Sequence, residues 1–205
     1  DTTWSRARSL GRTINTIYWE SHGFITPDGN TLFISGNRPG GKGELDIWRS
    51  GKKDDGTWDQ PVNLGDIINT PYNEDTPFFD PGTGALIFSS AGHISMGGYD
   101  VFRSVSGNGG WTDPVGMPFA LNTTRSNTFF IFKNNAPGFI AGRYDDEKGS
   151  RNIYSLAAID PADEITVAEG VVQLLDRAGI DISKADVKLT DLKTKAIKTI
   201  PVNGE

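Results

Sequence analysis

The feature that most limits what this chain can fold into is an internal repeat. Trp4 to Ser50 can be laid over Trp58 to Ser104 at an offset of 54 without a gap. The copies share Leu10/Leu64, Gly11/Gly65, Ile14/Ile68, Asn15/Asn69, Thr16/Thr70, Tyr18/Tyr72, Glu20/Glu74, Gly43/Gly97, Asp46/Asp100, Arg49/Arg103 and Ser50/Ser104, among others. A third copy follows at an offset of 53 from Gly110-Trp111 through Leu121-Asn122-Thr123 and ends in Asn152-Ile153-Tyr154-Ser155. A period of this length means stacked supersecondary units that bury their apolar faces on one another.

Each unit is built from short β-branched and aromatic runs cut by Gly, Pro, Asn and Asp, which is the pattern of an antiparallel meander. In the first copy the expected strands are His22 to Thr26, Thr31 to Ser35 and Leu45 to Ser50, followed by an outer strand at Thr57-Trp58. No copy has helical periodicity. Four strands per period of about fifty residues point to β-propeller blades. The expected architecture is all-β, with blades at about 4–57, 58–110 and 111–156 within residues 1–160. Three blades are too few to close a ring, so they are expected to belong to a larger one, with Trp4 on the outer strand of a blade that begins upstream. The alternative is that Trp4 closes the third blade within an open or oligomeric assembly.

Every aromatic residue lies at or before Tyr154, and the composition changes after Asp160-Pro161-Ala162-Asp163. In residues 161–205 the alternation Asp186 to Leu192 reads as a half-buried strand and Asp176-Arg177-Ala178-Gly179 as a turn. These patterns suit the start of a small β-sandwich.

Composition removes several functions. The net charge is −6, with no Lys/Arg cluster, which argues against nucleic acid or an anionic membrane as partner. Cysteine is absent, so disulfides, thiolate metal sites and Cys nucleophiles are excluded. No run of 18 apolar residues is present to cross a bilayer as a helix.

Several motifs suggest chemistry and lose it in context. Asn37 to Gly43 lacks the Gly-Lys-Ser/Thr and the following helix of a phosphate loop, so its glycines are expected to supply positive φ in a turn. Gly92 to Gly97 lacks the spacing and the strand-to-helix setting of a hydrolase nucleophile elbow. The only other histidine, His22, stands where the second copy has Thr76. Asp46 and Asp100 recur at one repeat position, so the expectation is that they lock the glycine loop by accepting turn amides. Lys53 to Trp58 is one residue short of the Asp-box of sialidases, and Arg38, Arg49 and Arg103 read as structural. Asp54-Asp55 and Asp145-Asp146-Glu147 are hard-oxygen residues without the cadence of a Ca²⁺ loop and read as solvated turns. No catalytic residue, metal or cofactor is assigned. The candidate partner-binding residues lie in the repeated Asn-Thr-x-Tyr-x-Glu connection: Asn15, Tyr18, Glu20, Asn69, Tyr72, Glu74, Asn122 and Arg125. Loops on a rigid scaffold are where such sites concentrate.

Residues Pro27 to Ser50, followed by Gly56 to Phe79, resemble the PD40 repeat, a WD40-like and TolB-like blade, over roughly residues 4 to 155. The tail resembles a carboxypeptidase-regulatory-like β-sandwich. That order is similar to OmpA-family envelope proteins, including components of type IX secretion. The resemblance implies a non-enzymatic scaffold in the periplasm, associated with the outer membrane and binding envelope or secretion-system proteins. It implies peptidoglycan contact only through an OmpA-like domain outside this sequence, no nucleic acid and no direct membrane insertion. A carbohydrate-active or peptidase-associated propeller is the alternative.

Overall fold

The computed structural model describes residues 3–119, 121–133, 136–145, 150–155, 186–190 and 197–201. The chain forms two compact units, Asp1–Ile159 and Asp160–Glu205. Among the described residues every regular element is a strand, and every strand pairing is antiparallel.

In the first unit the first repeat forms a four-stranded meander, β1 (Glu20–Ile25), β2 (Thr31–Gly36), β3 (Asp46–Gly51) and β4 (Val62–Asn63), paired in chain order. The second repeats it with β5 (Glu74–Asp80), β6 (Ala85–Ser90) and β7 (Asp100–Gly107), whose outer edge takes both β8 (Gly110–Trp111) and β9 (Val115–Gly116). The third shows three strands, β10 (Thr128–Lys133), β11 (Ala136–Asp145) and β12 (Ser150–Ser155). The outer pairing differs from the sequence expectation. Trp58 makes only a single bridge to Lys52, and the fourth strand forms later, at Val62–Asn63. The indole is instead drawn into a core with Ile14, Leu32 and Ile34, where burying so large an apolar surface outweighs a ladder hydrogen bond.

The central strands explain how the repeats of the first unit stack. β2 and β6 are buried almost throughout, so their side chains, which alternate between faces, serve two cores at once. Phe33 on one face of β2 joins Ile47, Ile68, Leu86, Phe88 and Phe102, while Leu32 and Ile34 on the other join Trp58. Ile87 of β6 turns away from that cluster to meet Val101 of β7 and Phe130 of the next sheet. Aromatic pairs Phe33–Phe79 and Phe24–Phe78, with centroids 5.1 and 4.9 Å apart, fasten the first sheet to the second. Each fully buried Phe or Ile contributes about 1.5–3 kcal/mol.

The glycine loop between the second and third strands adds a closer contact, for a reason different from the one expected. Gly40 has φ of 88°, but Gly43 and Gly97 do not have positive φ. A Cβ on Gly43 would lie 2.6 Å from the Thr70 carbonyl oxygen and closer still to that of Tyr72. One on Gly97 would lie 2.8 Å from the Thr123 carbonyl oxygen and closer to that of Arg125. These glycines persist because the backbone of the next repeat occupies the space of a side chain.

In the second unit β13 (Asp186–Thr190) and β14 (Ile197–Pro201) form an antiparallel hairpin, with Lys188 opposite Thr199. The turn expected at 176–179 lies outside the described residues.

Gly43→Ala and Gly97→Ala are each expected to lower stability by about 1–3 kcal/mol through overpacking. Gly109→Ala, where no atom lies within 4 Å of the added methyl, is expected to be nearly neutral. Urea denaturation of the three variants checks this.

Candidate functional site

The connection leading from one sheet to the next begins with a single tight turn. The amides of Ile68 and Asn69 both donate to the Gly65 carbonyl at 3.2 and 2.8 Å, as those of Ile14 and Asn15 do to Gly11. This turn aims the Asn69 side chain back at the third strand of the preceding repeat. Its Oδ1 accepts from the Ile47 amide at 2.8 Å and its Nδ2 donates to the Ile47 carbonyl at 3.0 Å. Asn122 does the same to Val101 at 2.8 and 2.9 Å. A carboxamide, which carries donor and acceptor side by side, thus reproduces a neighbouring strand, and the second N–H of Asn69 donates to Asn63 Oδ1 at 2.9 Å. Asn15 Oδ1 accepts instead from Leu10 N and Ser9 Oγ.

The next residues close the loop. The fully buried Glu74 accepts from Thr70 N, Thr70 Oγ1 and Ser90 Oγ at 2.6–2.7 Å. Glu20 accepts from Thr16 N, Thr16 Oγ1 and Arg38 Nη2. In the third copy Asn127 accepts from Thr123 N and Oγ1 at 2.8 and 3.1 Å. Each threonine hydroxyl in turn accepts from the amide two residues on, in Tyr18, Tyr72 or Arg125. Of the eight candidate residues, Glu20, Asn69, Glu74 and Asn122 therefore spend their polar groups on the fold. Tyr18 and Tyr72 present their side chains to solvent.

Recurrent polar residues elsewhere also serve the loops. Asp46 accepts from the amides of Lys42 and Gly43 and from Asn63 Nδ2. Asp100 accepts from Met96 and Gly97, but Gly116 stands where Asn63 would be, and Asp100 Oδ1 is left buried without a partner. Arg38 and His93, dissimilar in sequence, do one job: Arg38 Nη2 reaches the Ile14 carbonyl at 3.0 Å and His93 Nε2 the Ile68 carbonyl at 2.9 Å. Burial pushes the Arg38 guanidinium below its ordinary pKa, with the Glu20 charge opposing. Asp55 accepts from Thr57 N and Oγ1, which holds its carboxyl below the usual range and marks a hydrogen-bonded turn. Among the described residues no group of three or more His, Asp or Glu could hold a metal, and Asp146 and Glu147 lie outside them.

Sequence reasoning missed one polar cluster. Ser21 and Asp75 occupy equivalent positions in neighbouring inner strands and meet. Asp75 Oδ1 lies 2.8 Å from His22 Nδ1, Asp75 Oδ2 accepts from Ser21 Oγ at 3.1 Å, and Ser21 Oγ lies 2.8 Å from His22 Nδ1. The serine and the acid address the same ring nitrogen, whereas a hydrolytic relay needs them on opposite nitrogens. Beside it, His22, Thr76, Phe78 and Phe129 line a small apolar cavity of about 140 Å³. Thr76 and Phe129, at φ of 50° and 62°, mark equivalent irregularities in β5 and β10. The signal was available: in stacked repeats, residues at equal register in adjacent copies face each other.

The two ends of the sheets differ in character. At the end bearing the turns 26–31, 53–57 and 80–85 the exposed tips are Pro, Asp, Asn, Lys, Thr and Gly, with no large apolar side chain among them. At the opposite end, where the connections and glycine loops meet, Ile17 and Ile94 are 94% and 101% exposed, and Tyr18, Trp19, Tyr72 and Met96 are also exposed. Trp19, Asn37, Gly43, Glu44, Leu45 and Asn73 line an open cleft of roughly 400 Å³ there. The cleft is framed by fixed backbone: Trp19 N donates to Asn37 Oδ1 at 2.8 Å, Glu74 N to the Leu45 carbonyl at 2.7 Å, and Asn73 Nδ2 to Glu44 at 3.0 Å.

Comparison with models of protein families, with curated proteins and with solved structures found no match to this chain. No helix among the described residues is long and apolar enough to cross a membrane.

Asn69→Ala orphans a buried donor and weakens a buried acceptor, and is expected to cost about 2–4 kcal/mol, since each unmade buried bond costs about 1–3. Asn69→Asp should be no better, because its second oxygen would face the Ile47 carbonyl. Asn15→Ala should change stability by less than about 0.5 kcal/mol. Denaturation of the three variants orders these costs. Gly116→Asn, whose Cβ would make only ordinary contacts, supplies Asp100 Oδ1 with a donor and is expected to raise stability by about 1 kcal/mol. A fall in its denaturation midpoint would contradict that assignment.

Proposed function

We propose that this chain is a non-enzymatic protein-binding scaffold, built of β-propeller blades and followed by the start of a small β-sandwich. The propeller reading is supported by successive antiparallel meanders of four, five and three described strands that share apolar cores, with the connection between repeats on one end. The PD40 resemblance adds the setting: a periplasmic, outer-membrane-associated assembly, with envelope or secretion-system proteins as partners.

The single observation that carries the binding role is the contrast between the ends of the sheets. Apolar side chains held out in water by loops whose backbones are pinned from within lose little entropy on binding, which is what a protein interface needs. Trp19 and Tyr72 beside the cleft are of the types that dominate interface energetics. The half-buried Glu20 and the fully buried Glu74 spend their carboxylate oxygens on donors of the connection itself, which favours a structural role for both and supports a scaffold over an enzyme.

Capture of partners from an envelope extract tests this. The wild-type chain should retain a defined protein, and Trp19→Ala with Tyr72→Ala should reduce retention by at least about tenfold, as the loss of one or two interface anchors implies. Hydrolysis of a glycan or peptide by the purified chain, with no protein captured, would sink the reading.

A further inference from the structure

The inner strands of the three repeats converge on one small cavity. His22 and Phe24 of β1, Thr76 and Phe78 of β5, and Phe129 and Ile131 of β10 line it, and these are the same two register positions in successive copies. Its volume is about 140 Å³. An apolar cavity of about 150 Å³ holds one benzene molecule, so a single six-membered ring is the occupant that fits. Phenylalanine rings dominate the wall, with Phe24 and Phe78 at 4.9 Å between centroids, and they favour an aromatic guest through edge and face contacts. Among the described residues that line the cavity His22 is the one that ionises, so no fixed charge there would balance a charged guest.

The wall is also strained. Thr76 and Phe129, one β-branched and one bulky, have φ of 50° and 62°. Left-handed backbone is an outlier for such side chains and clusters at ligand clamps. One hydrogen-bonding atom is presented in a defined state. Asp75 Oδ1 lies 2.8 Å from His22 Nδ1, and a carboxylate has no hydrogen to give, so the ring donates from Nδ1. Ser21 Oγ spends its own hydrogen on Asp75 Oδ2 at 3.1 Å. In the neutral imidazole Nε2 is then a bare acceptor, and it makes no hydrogen bond among the described residues. Ser21 and Asp75 do not line the cavity, so the ring turns its Nδ1 edge away from that space and its Nε2 edge toward it.

We propose that this cavity binds a small free phenol, with the ring between the phenylalanines and the hydroxyl donating to His22 Nε2. Apolar walls supply the affinity and a single placed acceptor supplies the selectivity, which is the usual division of labour in a small-molecule site. A free molecule fits the site better than a partner's side chain, because the lining residues lie within strands and neither Trp19 nor Tyr72 of the proposed protein interface is among them.

NMR titration of the 205-residue chain with phenol and with toluene, at a pH of about 8 where imidazoles are ordinarily neutral, tests the proposal. Phenol should bind with a dissociation constant on the order of 1 mM or below. Toluene has the same shape without the donor and should bind about three- to tenfold more weakly, the worth of one neutral hydrogen bond. The His22 Nε2 resonance should move with phenol, while that of His93, whose Nε2 is held by the Ile68 carbonyl at 2.9 Å, should not. His22→Phe places in the first copy the residue type that Phe129 supplies in the third, and it should take both ligands alike with unchanged circular dichroism. If that variant does not fold, the wild-type contrast still decides. N-acetyltyrosinamide, which carries a backbone that the cavity has no room for, should bind more weakly than phenol. Equal affinity for toluene and phenol, an unmoved His22 resonance, or tighter binding of the tyrosine amide overturns the proposal. None of these results bears on capture of an envelope protein through Trp19 and Tyr72, so the two proposals fail separately.

Discussion

The repeats hold together because one asparagine side chain stands in for a strand. A meander ends in a third strand whose outer amides and carbonyls must be satisfied once covered. The fourth strand, Val62–Asn63, is only two residues long and pairs with Trp48 and Arg49. The buried backbone of Ile47 is completed by Asn69 from the connection that follows. That amide fixes the start of the next inner strand at the same time, so sheet completion and sheet stacking are one event. The shared apolar clusters supply most of the stabilising energy, but they are not directional, and the clamp sets the register at which they meet.

This arrangement also decides where function can reside. The recurrent polar residues are consumed in building the connections: Asp46 and Asp100 hold the glycine loops, and Glu20 and Glu74 the threonine turns. What remains at the same end includes the repeated Tyr18 and Tyr72 and large apolar side chains that vary between copies. Ile17 and Trp19 have Pro71 and Asn73 as counterparts, and Ile94 has Gly40. A repeat that keeps its supports and varies several of its exposed side chains is the pattern that the proposed binding role needs.

The sequence made some of this legible for identifiable reasons. Strands β1, β2 and β3 fall within a residue or two of their expected positions because β-branched and aromatic runs were bounded by Pro27-Asp28-Gly29 and by the glycine loop. The role of Asp46 could be read because it recurs before a strand and after a glycine turn. The inward and outward halves of Asn-Thr-x-Tyr-x-Glu could not be separated, since a conserved spacing does not say which side chains the turn aims at the core. The outer strand was misplaced because Trp58 has strong strand preference but is claimed by the Ile14, Leu32 and Ile34 core. Gly43 was assigned to turn geometry, whereas its cause is a carbonyl from the next repeat, which no local pattern encodes. The His22 and Asp75 pair likewise depends on register between copies.

Backbone hydrogen exchange at Ile47 and Val101 tests the clamp most directly, because both amides donate to an asparagine side chain rather than to a strand. The amides of Ile47 and Val101 should exchange only on global unfolding, and Asn69→Ala should release Ile47 selectively while Val101 stays slow. If Ile47 and Val101 exchanged as fast as the exposed turn amides of the wild-type chain, the asparagine would be an ornament of the loop and not the tie between repeats.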